Sequence, residues 1–199
     1  MRFLLLSFIL FFCACRVSHN PMRKEVRLLQ KGIIKDDTSY VYGLPYKNGK
    51  AYWLVQGYFS RFSHRERAAI DFKMKRGTEI YAARDGVVIR VKEDGDRGGW
   101  NRKYRPYGNN IIIRHADSSR AGYWHLQKDG ALVNVGDTVK KGQLIGLSGK
   151  TGYTLFPHLH FIVWDFDASG NWKQVATRFQ TTKGIKYLKS IRKYRKPKE

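Results

Sequence analysis

Apolar and polar residues alternate in short runs along most of the chain, and turn residues separate these runs. Between residues 40 and 180, segments such as "NNIIIRHAD", "AGYWHLQ" and "HLHFIVWDFD" are bounded by Gly, Asn or Asp. Short runs rich in β-branched and aromatic residues are typical of strands. That interval contains no convincing helical pattern of ten or more residues. The pattern predicts a mostly β fold, an antiparallel β-sandwich or open barrel of short strands with little helix.

One pair of predicted strands is joined by a turn signal. The segment "EIYAARDGVVIRVKED" contains two strand-like runs that meet at Asp85-Gly86. An Asp-Gly pair between two such runs is a hairpin signal. We therefore expect the two runs to pair with each other.

The two ends of the chain differ from its β-rich middle. Residues 1–15, "MRFLLLSFILFFCAC", combine one basic residue, an apolar run and a small-residue exit, which is the layout of a secretory signal. Residues 16–38 are polar and basic with little periodicity, and we interpret them as a linker. One domain is then expected over residues 39–182, followed by a basic tail over residues 183–199.

Both cysteines lie at the end of the predicted signal. Cys13 and Cys15 belong to "FCAC", which resembles a bacterial lipobox with Cys15 as the lipid-bearing residue, although Phe12 stands where leucine is usual. Cleavage by an ordinary signal peptidase near the same place is the alternative. Either way the mature chain has at most one cysteine, so no internal disulfide is expected. The sequence predicts an exported protein of the periplasm or cell envelope, with membrane attachment through a lipidated Cys15 as one form.

The composition adds a strong positive charge. Lys and Arg number 38 against 16 Asp and Glu, which gives a formal net charge of +22. Such a charge attracts nucleic acid, anionic lipid or acidic envelope polymers. Because export argues against nucleic acid, we expect anionic cell-envelope polymers as partners. The tail, residues 183–199, is either a solvated, frayed end or an electrostatic tether, and the basic, aromatic segment 93–110 either contacts substrate or is simply flexible.

Two histidines at the start of the most apolar predicted strand carry the candidate chemistry. His158 and His160 in "PHLHFIVW" are two positions apart, and residues i and i+2 of a strand share a face. Leu159 and Phe161 then face the core. Two imidazoles on one face of an apolar strand are costly to bury without partners. They are well suited to bind zinc.

Candidate partners for this pair come from distant parts of the chain. Asp71 is flanked by apolar residues in "AAIDF", where it is either a turn or capping residue or a zinc-binding carboxylate, and His64 precedes it by seven positions. His125 stands in "GYWHLQ". His115, at the end of "IIIRH", is interpreted as a structural strand-end residue, and His19 lies in the predicted linker.

The strand around His125 also predicts which side chains share a face. Strict alternation in "GYWHLQ" places Trp124 and Leu126 on one face. Tyr123 and His125 are then expected together on the other face.

In combination these segments resemble a known family. The segments "SHRERAAIDF", "GTEIYAARDGVV", "YGNNIIIRH", "YWHLQ", "VNVGDTVKKGQLIGLSGKTG" and "PHLHF" occur in the order found in the lysostaphin-type, or LytM-like, zinc metallopeptidases. The resemblance covers roughly residues 40–180. Six residues separate His64 from Asp71, the longer of two spacings in that family.

The resemblance implies a site and an activity. It implies that one zinc ion is bound by His64, Asp71 and His160, and that His125 and His158 are catalytic without being primary ligands. It implies an open groove in which zinc-activated water hydrolyses peptide stems or crosslinks of bacterial peptidoglycan. Zinc with three protein ligands keeps a further position open, and a neighbouring imidazole can act as the base. The peptide bond that is cut and the division of roles between the two catalytic histidines stay open.

Missing motifs exclude two other metal-dependent classes, and one non-enzymatic function stays open. "HRE" at residues 64–66 begins a zinc deaminase motif, but no Pro-Cys-x-x-Cys follows it. The chain has no His-Glu-x-x-His segment. Some LytM-like domains have lost zinc ligands and bind the wall or activate other hydrolases, whereas all five site positions are filled here. The sequence carries no signal for an oligomeric state.

Overall fold

The computed structural model describes residue 18 and residues 20–198, so the predicted signal and Cys15 lie outside the described residues. Within them the chain forms one α-helix, one 3₁₀ helix and sixteen strands. The elements are α1 (Met22–Lys31), β1 (Val41–Tyr42), β2 (Ala51–Gln56), β3 (Ala69–Lys73), β4 (Glu79–Tyr81), β5 (Gly86–Lys92), β6 (Gly98–Gly99), the 3₁₀ helix (Arg102–Tyr107), β7 (Asn109–Arg114), β8 (Arg120–Ala131), β9 (Thr138–Val139), β10 (Leu144–Ser148), β11 (Gly152–Tyr153), β12 (His158–Phe166), β13 (Trp172–Val175), β14 (Arg178–Thr181), β15 (Gly184–Tyr187) and β16 (Arg192–Arg195).

Most of the strands belong to one eleven-stranded sheet. Its main path runs β16-β2-β3-β12-β8-β7-β5-β9, and β4, β10 and β13 pair beside this path. Strand β12 lies between β3 and β8 and is antiparallel to both. The predicted mostly β fold with a large antiparallel sheet is confirmed. Within the part of the chain that the structure describes, no helix is long and apolar enough to cross a lipid bilayer.

Strand β12 separates the core of the protein from the candidate site. Leu159, Phe161 and Val163 are at most 2% exposed, and the ring of Phe161 packs edge-on against Tyr123 of β8 at 5.2 Å. Because alternate residues of a strand point to opposite faces, burial of these residues turns the intervening positions to the other face. The two histidines of β12 occupy that face.

The predicted hairpin at Asp85-Gly86 is wrong. Strand β4 pairs with β10, whereas β5 pairs with β7 and β9. Asp85 instead forms a corner, because its carboxylate accepts the backbone N–H of Lys141 at 2.6 Å and its carbonyl accepts Nδ1 of His115 at 2.7 Å. A turn signal marks where the chain reverses, but the sheet decides which strand becomes the partner.

Residues interpreted as a linker contain the helix α1. Val26 on its inner face is 4% exposed, and the side chain of Gln30 donates to the carbonyl of Leu188 at 2.6 Å. Gly32 ends the helix at φ 72°, and its N–H contacts the carbonyls of the last turn. Met22, Val26 and Leu29 recur at the spacing of one helix face, a periodicity that the linker interpretation overlooked, and contact with the C-terminal residues stabilises the helix.

The C-terminal residues form strands, so the expectation of a frayed end is wrong for this segment. Strand β16 pairs antiparallel with β2 along its whole length. Tyr194 in the middle of β16 is 9% exposed, and the hydroxyl of Tyr46 donates to its carbonyl at 2.8 Å. The basic residues of this segment therefore stand on a folded surface.

Candidate metal centre and active site

The sheet register brings two of the predicted ligands together. His160 of β12 lies directly opposite Asp71 of β3, and His158 lies opposite Lys73. Asp71 and Lys73 share a face of their strand, as the two histidines do. Both His160 and Asp71 are buried, at 8% and 2% exposed. Residues that are 89 positions apart in sequence thus come within hydrogen-bond distance.

His64 reaches the same point from the segment between β2 and β3. Its ring is 1% exposed, and its Nδ1 lies 3.3 Å from the carbonyl of Gly57. A carbonyl only accepts hydrogen bonds, so Nδ1 of His64 carries the proton and Nε2 keeps its lone pair. That lone pair points towards the other two side chains.

The three atoms form a compact triangle. Nε2 of His64 lies 3.1 Å from Nδ1 of His160 and 3.3 Å from Oδ1 of Asp71, and the last two atoms are 2.9 Å apart. Zinc binds N and O ligands at about 2.1 Å, so two ligands at a tetrahedral angle are about 3.4 Å apart. The donor set and its spacing therefore fit a zinc ion with three protein ligands.

Gln56 holds the second carboxylate oxygen of Asp71. Its Nε2 donates to Oδ2 at 2.7 Å, and its Oε1 accepts the backbone N–H of Ser63 at 3.1 Å. One amide side chain thus orients the carboxylate and also fixes the turn before His64. The sequence analysis missed Gln56, because a single polar residue in a strand carries no signal of its role.

Hydrogen bonds from Nδ1 also orient the other two histidines. Nδ1 of His125 donates to the carbonyl of Thr151 at 2.7 Å, and Nδ1 of His158 donates to that of Phe156 at 2.9 Å. The two rings lie 4.7 Å apart, and Nε2 of His158 is 3.6 Å from Oδ1 of Asp71. Both Nε2 atoms therefore keep lone pairs next to the triangle.

A β-bulge at His125 changes the predicted faces of its strand. Trp124 pairs with Asn110 and Leu126 with Asn109, so His125 is an extra residue with φ 66°. Trp124 and His125 both line the groove, whereas Leu126 is fully buried. The expectation of strict alternation is wrong here, because a bulge re-aims side chains next to it.

Gly152 allows the preceding carbonyl, that of Thr151, to lie close to the ring of His125. Gly152 has φ 81°, and a Cβ there would lie 2.6 Å from the Cα of Gly108. No other residue fits this approach without moving the backbone. The close contact holds Thr151 against the imidazole.

Burial controls the protonation of this cluster. Burial lowers the pKa of His160 to about 4 and lowers the pKa of His125 well below its usual value. For Asp71, burial alone would raise the pKa, but the neighbouring histidines hold it well below its usual range. At neutral pH, two neutral imidazoles and a carboxylate are the forms that bind a metal ion or accept a proton.

A second set of atoms is close enough to hold a metal. Donor atoms of His125, His158 and His160 lie within 4.8 Å of one another, as do those of His64, Asp71 and His160. The structure thus brings all five predicted site residues into one cluster. His115 is not in it: its ring packs against Tyr42 at 5.6 Å, in keeping with the structural interpretation.

A groove of about 780 Å³ runs across the face of the sheet that carries this cluster. Trp100 stacks on Tyr153 at 5.1 Å, and the guanidinium of Arg105 lies 5.6 Å from the same ring. Segment 93–110 thus forms one wall of the groove through its 3₁₀ helix and the preceding Trp100. This segment was expected either to contact substrate or to be simply flexible. A folded position on the groove wall is the one that contact with substrate would need.

The free charges along the groove are all positive. Arg67, Lys73 and Arg105 line it and are exposed, and none of them forms an ion pair with an acidic residue among those described. Asp71 is the one acidic lining residue, and its carboxylate is enclosed by the histidines and Gln56. The groove is therefore complementary to a ligand with negative charges.

One protein family matches the part of the chain that contains most of this cluster. Residues 65–175 match Peptidase family M23. This segment contains four of the five cluster residues and begins one position after His64.

Curated relatives and a solved structure match the same region. The chain is 40% identical over 46% of its length to the peptidoglycan DD-endopeptidase ShyA of Vibrio cholerae. It is 42% identical over 46% of its length to the glycyl-glycine endopeptidase ALE-1 of Staphylococcus capitis. These matches span 18% and 23% of the two relatives, so the chain corresponds to less than a quarter of either. The catalytic domain of lysostaphin from Staphylococcus simulans matches 63% of this chain and 87% of that structure, at 32% identity and a TM-score of 0.44.

Proposed function

The chain belongs to peptidase family M23, and on this basis we propose that it is a zinc-dependent endopeptidase that hydrolyses peptide stems or crosslinks of bacterial peptidoglycan. The observation that carries this proposal is the triangle of buried donor atoms beside two imidazoles with free Nε2 atoms. The two curated relatives are named as a peptidoglycan endopeptidase and a glycyl-glycine endopeptidase, which supports hydrolysis of an amide bond.

His64, Asp71 and His160 would hold the metal. A zinc ion there would supply Lewis acidity, which activates water and polarises a carbonyl group. The alternative set of His125, His158 and His160 contains no carboxylate. Gln56 favours the first set, because it orients the carboxylate of Asp71 from outside the triangle.

His158 would act as the general base. Its Nδ1 proton is held by the carbonyl of Phe156, so Nε2 is the atom that accepts a proton from the attacking water and later passes it to the leaving amine. Thr154 lies 3.1 Å from the same Nδ1 and limits rotation of the ring. The base is thus held in one tautomer and one orientation.

His125 would orient the water. With its Nδ1 proton donated to Thr151, neutral His125 has only a lone pair at Nε2 and has no hydrogen there to donate to an oxyanion. Burial keeps the ring neutral by lowering its pKa. Accepting a hydrogen bond from water is therefore the role that this tautomer allows.

The charge of the groove favours a peptide that carries carboxylates. Lys73 lies two positions after Asp71 on the same face of β3, opposite His158, and lines the groove. Arg67 precedes β3, and Arg105 lies on the wall opposite the sheet. Carboxylates flanking the scissile bond would meet these cations, whereas a neutral glycine bridge would leave them unpaired.

Export and envelope binding complete the proposal. A signal at residues 1–15, with or without lipid on Cys15, would place the enzyme in the periplasm or cell envelope. The net charge, +22 for the full sequence and one less without Arg2 of the signal, would hold it on anionic envelope polymers, more weakly as salt rises. These partners follow from composition and are independent of the geometry of the groove.

The alternative is a non-catalytic LytM-like protein that binds the wall and activates another hydrolase. Digestion of purified peptidoglycan with and without a chelator, with fragments identified by mass and metal content measured in parallel, distinguishes the two. The enzyme releases new fragments, contains about one zinc per chain, and stops when zinc is removed. Intact peptidoglycan after incubation with the zinc-loaded protein would support the activator function instead.

A further inference from the structure

A second cavity, of about 960 Å³, lies between α1, the segment after it, β2, and the strands β15 and β16. We call it the cationic cleft, because nine of its lining residues are Lys or Arg and two are Asp. It shares no lining residue with the catalytic groove. All of its lining residues lie outside the family match at 65–175.

Part of this charge has a structural role. Asp36 accepts the N–H groups of Thr38 and Ser39 and the hydroxyl of Tyr187, and Arg178 donates to Ser39. These residues fasten the chain after α1 to the C-terminal strands. Arg195 also donates to a backbone carbonyl, that of Gly49, at 2.5 Å, so two of the nine cations have such a role.

Other cations of the cleft are free to contact a ligand. Lys186, Arg192 and Lys193 are exposed, and none forms an ion pair with the acidic residues in the described part of the chain. Because like charges repel, grouping them gives the fold no electrostatic stabilisation. An anionic partner would relieve this repulsion.

Large apolar side chains stand exposed among these cations. Trp53 is 50% exposed, Ile185 is 51% exposed, Ile191 is 81% exposed and Ile34 is 37% exposed, and all four line the cleft. Single exposed apolar residues are common, but four on one cavity indicate a contact surface. A soluble polymer of sugars and phosphates would gain little from three isoleucines.

Ile191 is also held in a strained conformation. Its φ is 58°, in the left-handed region that β-branched residues rarely adopt. Its N–H donates to the carbonyl of Leu54 at 2.7 Å, which fixes the backbone there. Glycine or asparagine would fit this position at lower cost, and the exposed isoleucine contributes little to the core. Strain at such a position is typical of a functional contact.

We propose that the cationic cleft docks the folded domain on an anionic phospholipid bilayer. Isoleucine side chains at its rim would enter the boundary between headgroups and acyl chains, while lysine and arginine residues contact phosphates. A bilayer fits this mixed surface better than a soluble anionic polymer, because it offers phosphates to the cations and an apolar boundary to the exposed isoleucines. The proposal depends neither on catalysis nor on lipidation of Cys15.

Binding to vesicles tests the cations. The mature chain, residues 16–199 without the proposed signal, is mixed with vesicles of phosphatidylcholine with or without phosphatidylglycerol. Replacing Lys186 and Arg192 by glutamine should weaken binding to the anionic vesicles about 25-fold, which is about fivefold for each cation. The matched control replaces Arg76 and Lys128, which are exposed and line neither cavity. It loses the same charge and should change binding much less.

Depth measurement tests the apolar rim of the cleft. A nitroxide label is attached to Ile191→Cys or, as control, to Arg76→Cys in the same background. On anionic vesicles the label at position 191 should be accessible to oxygen dissolved in lipid, and the label at position 76 should stay accessible to an aqueous nickel complex.

Two results would overturn the proposal. One is equal loss of vesicle binding in the cleft variant and its charge-matched control, together with a water-exposed label at position 191. The other is unchanged vesicle binding by Ile191→Ser, with soluble polyphosphate binding that depends on Lys186 and Arg192. That second result would assign the cleft to an anionic polymer.

Discussion

The catalytic groove and the cationic cleft hold their functional side chains in opposite ways. In the groove, the cluster residues are buried or nearly so, and Nδ1 of His64, His125 and His158 each meets a backbone carbonyl. In the cleft, the cations are exposed, and Ile191 projects into solvent.

This difference follows from the work that each region is proposed to do. Catalysis needs a few atoms at fixed positions, so one substitution there removes most of the effect. Attachment to a charged surface sums many weak contacts, so one substitution removes only a small part. The two regions should therefore respond differently to substitution, salt and pH.

The largest effect is expected for His160→Ala. Loss of this ligand should remove zinc and lower peptidoglycan hydrolysis by more than about a thousandfold, because the Lewis acid would lower the activation barrier by several kcal/mol. Metal content, fragment release and the circular dichroism of the folded protein are measured together. Binding to anionic vesicles should equal that of the parent, since His160 lies outside the cleft. Retained hydrolysis would contradict the ligand assignment.

His158→Ala should separate the base from the metal ligands. Hydrolysis should fall about 10²–10⁴-fold, the contribution of a general base, while most of the zinc is retained. Loss of zinc as well would show that His158 shares in ligation, as the second donor set allows.

Gln56→Ala should weaken metal binding without removing it. The residue contacts Asp71 outside the triangle, and loss of such a contact typically lowers metal affinity about 10–100-fold. Titration with a competing chelator measures this affinity, and added zinc should restore hydrolysis. An affinity equal to that of the parent would show that the carboxylate needs no support from Gln56.

Lys73→Gln should change the preference for substrate charge. With a peptide that carries a free carboxylate next to the scissile bond, kcat/KM should fall about tenfold, as expected for one hydrogen bond between charged groups. With the same peptide amidated at that carboxylate, the variant and the parent should be equal. Equal loss on both peptides would mean that Lys73 supports the site rather than recognises charge.

The smallest effect is expected for acid, which should lower the free energy of unfolding of the metal-free protein. Burial lowers the pKa of His115, His125 and His160, the last to about 4, whereas the unfolded chain keeps values near about 6.5. Between these values the unfolded state binds more protons, so the free energy of unfolding falls as the pH falls from about 6.5 to about 4. Urea unfolding at several pH values measures this slope, and His115→Gln should make it shallower. A flat profile would mean that these rings bind protons as readily in the folded state as in the unfolded state.

Sequence patterns predicted the β class because alternation and turn residues are local properties. The pairing of His158 and His160 on one face followed from the same rule. Alternation failed at His125, where a bulge inserts one residue. The hairpin signal failed at Asp85, where the turn joins strands that pair elsewhere. The assignment of metal and catalytic roles came from the family resemblance rather than from the pattern.

The two chain ends show a limit of the same local rules. Helix α1 contributes one strongly buried apolar residue, Val26, and β16 contributes Tyr194. Neither segment has enough apolar residues to indicate a fold by itself. Each becomes ordered because the other end of the chain and β2 supply the surface against which it packs.

By itself the sequence determined the kinds of side chain available: five imidazole or carboxylate groups within a β-rich chain, an apolar N-terminal run, and a large excess of positive charge. Only the tertiary structure decided that Gln56 supports Asp71, that the carbonyl of Thr151 selects the tautomer of His125, and that basic residues from both chain ends form one cleft. The physical reason is range. Periodicity and turn chemistry act over a few residues, whereas these contacts join atoms whose residues are 15 to 158 positions apart.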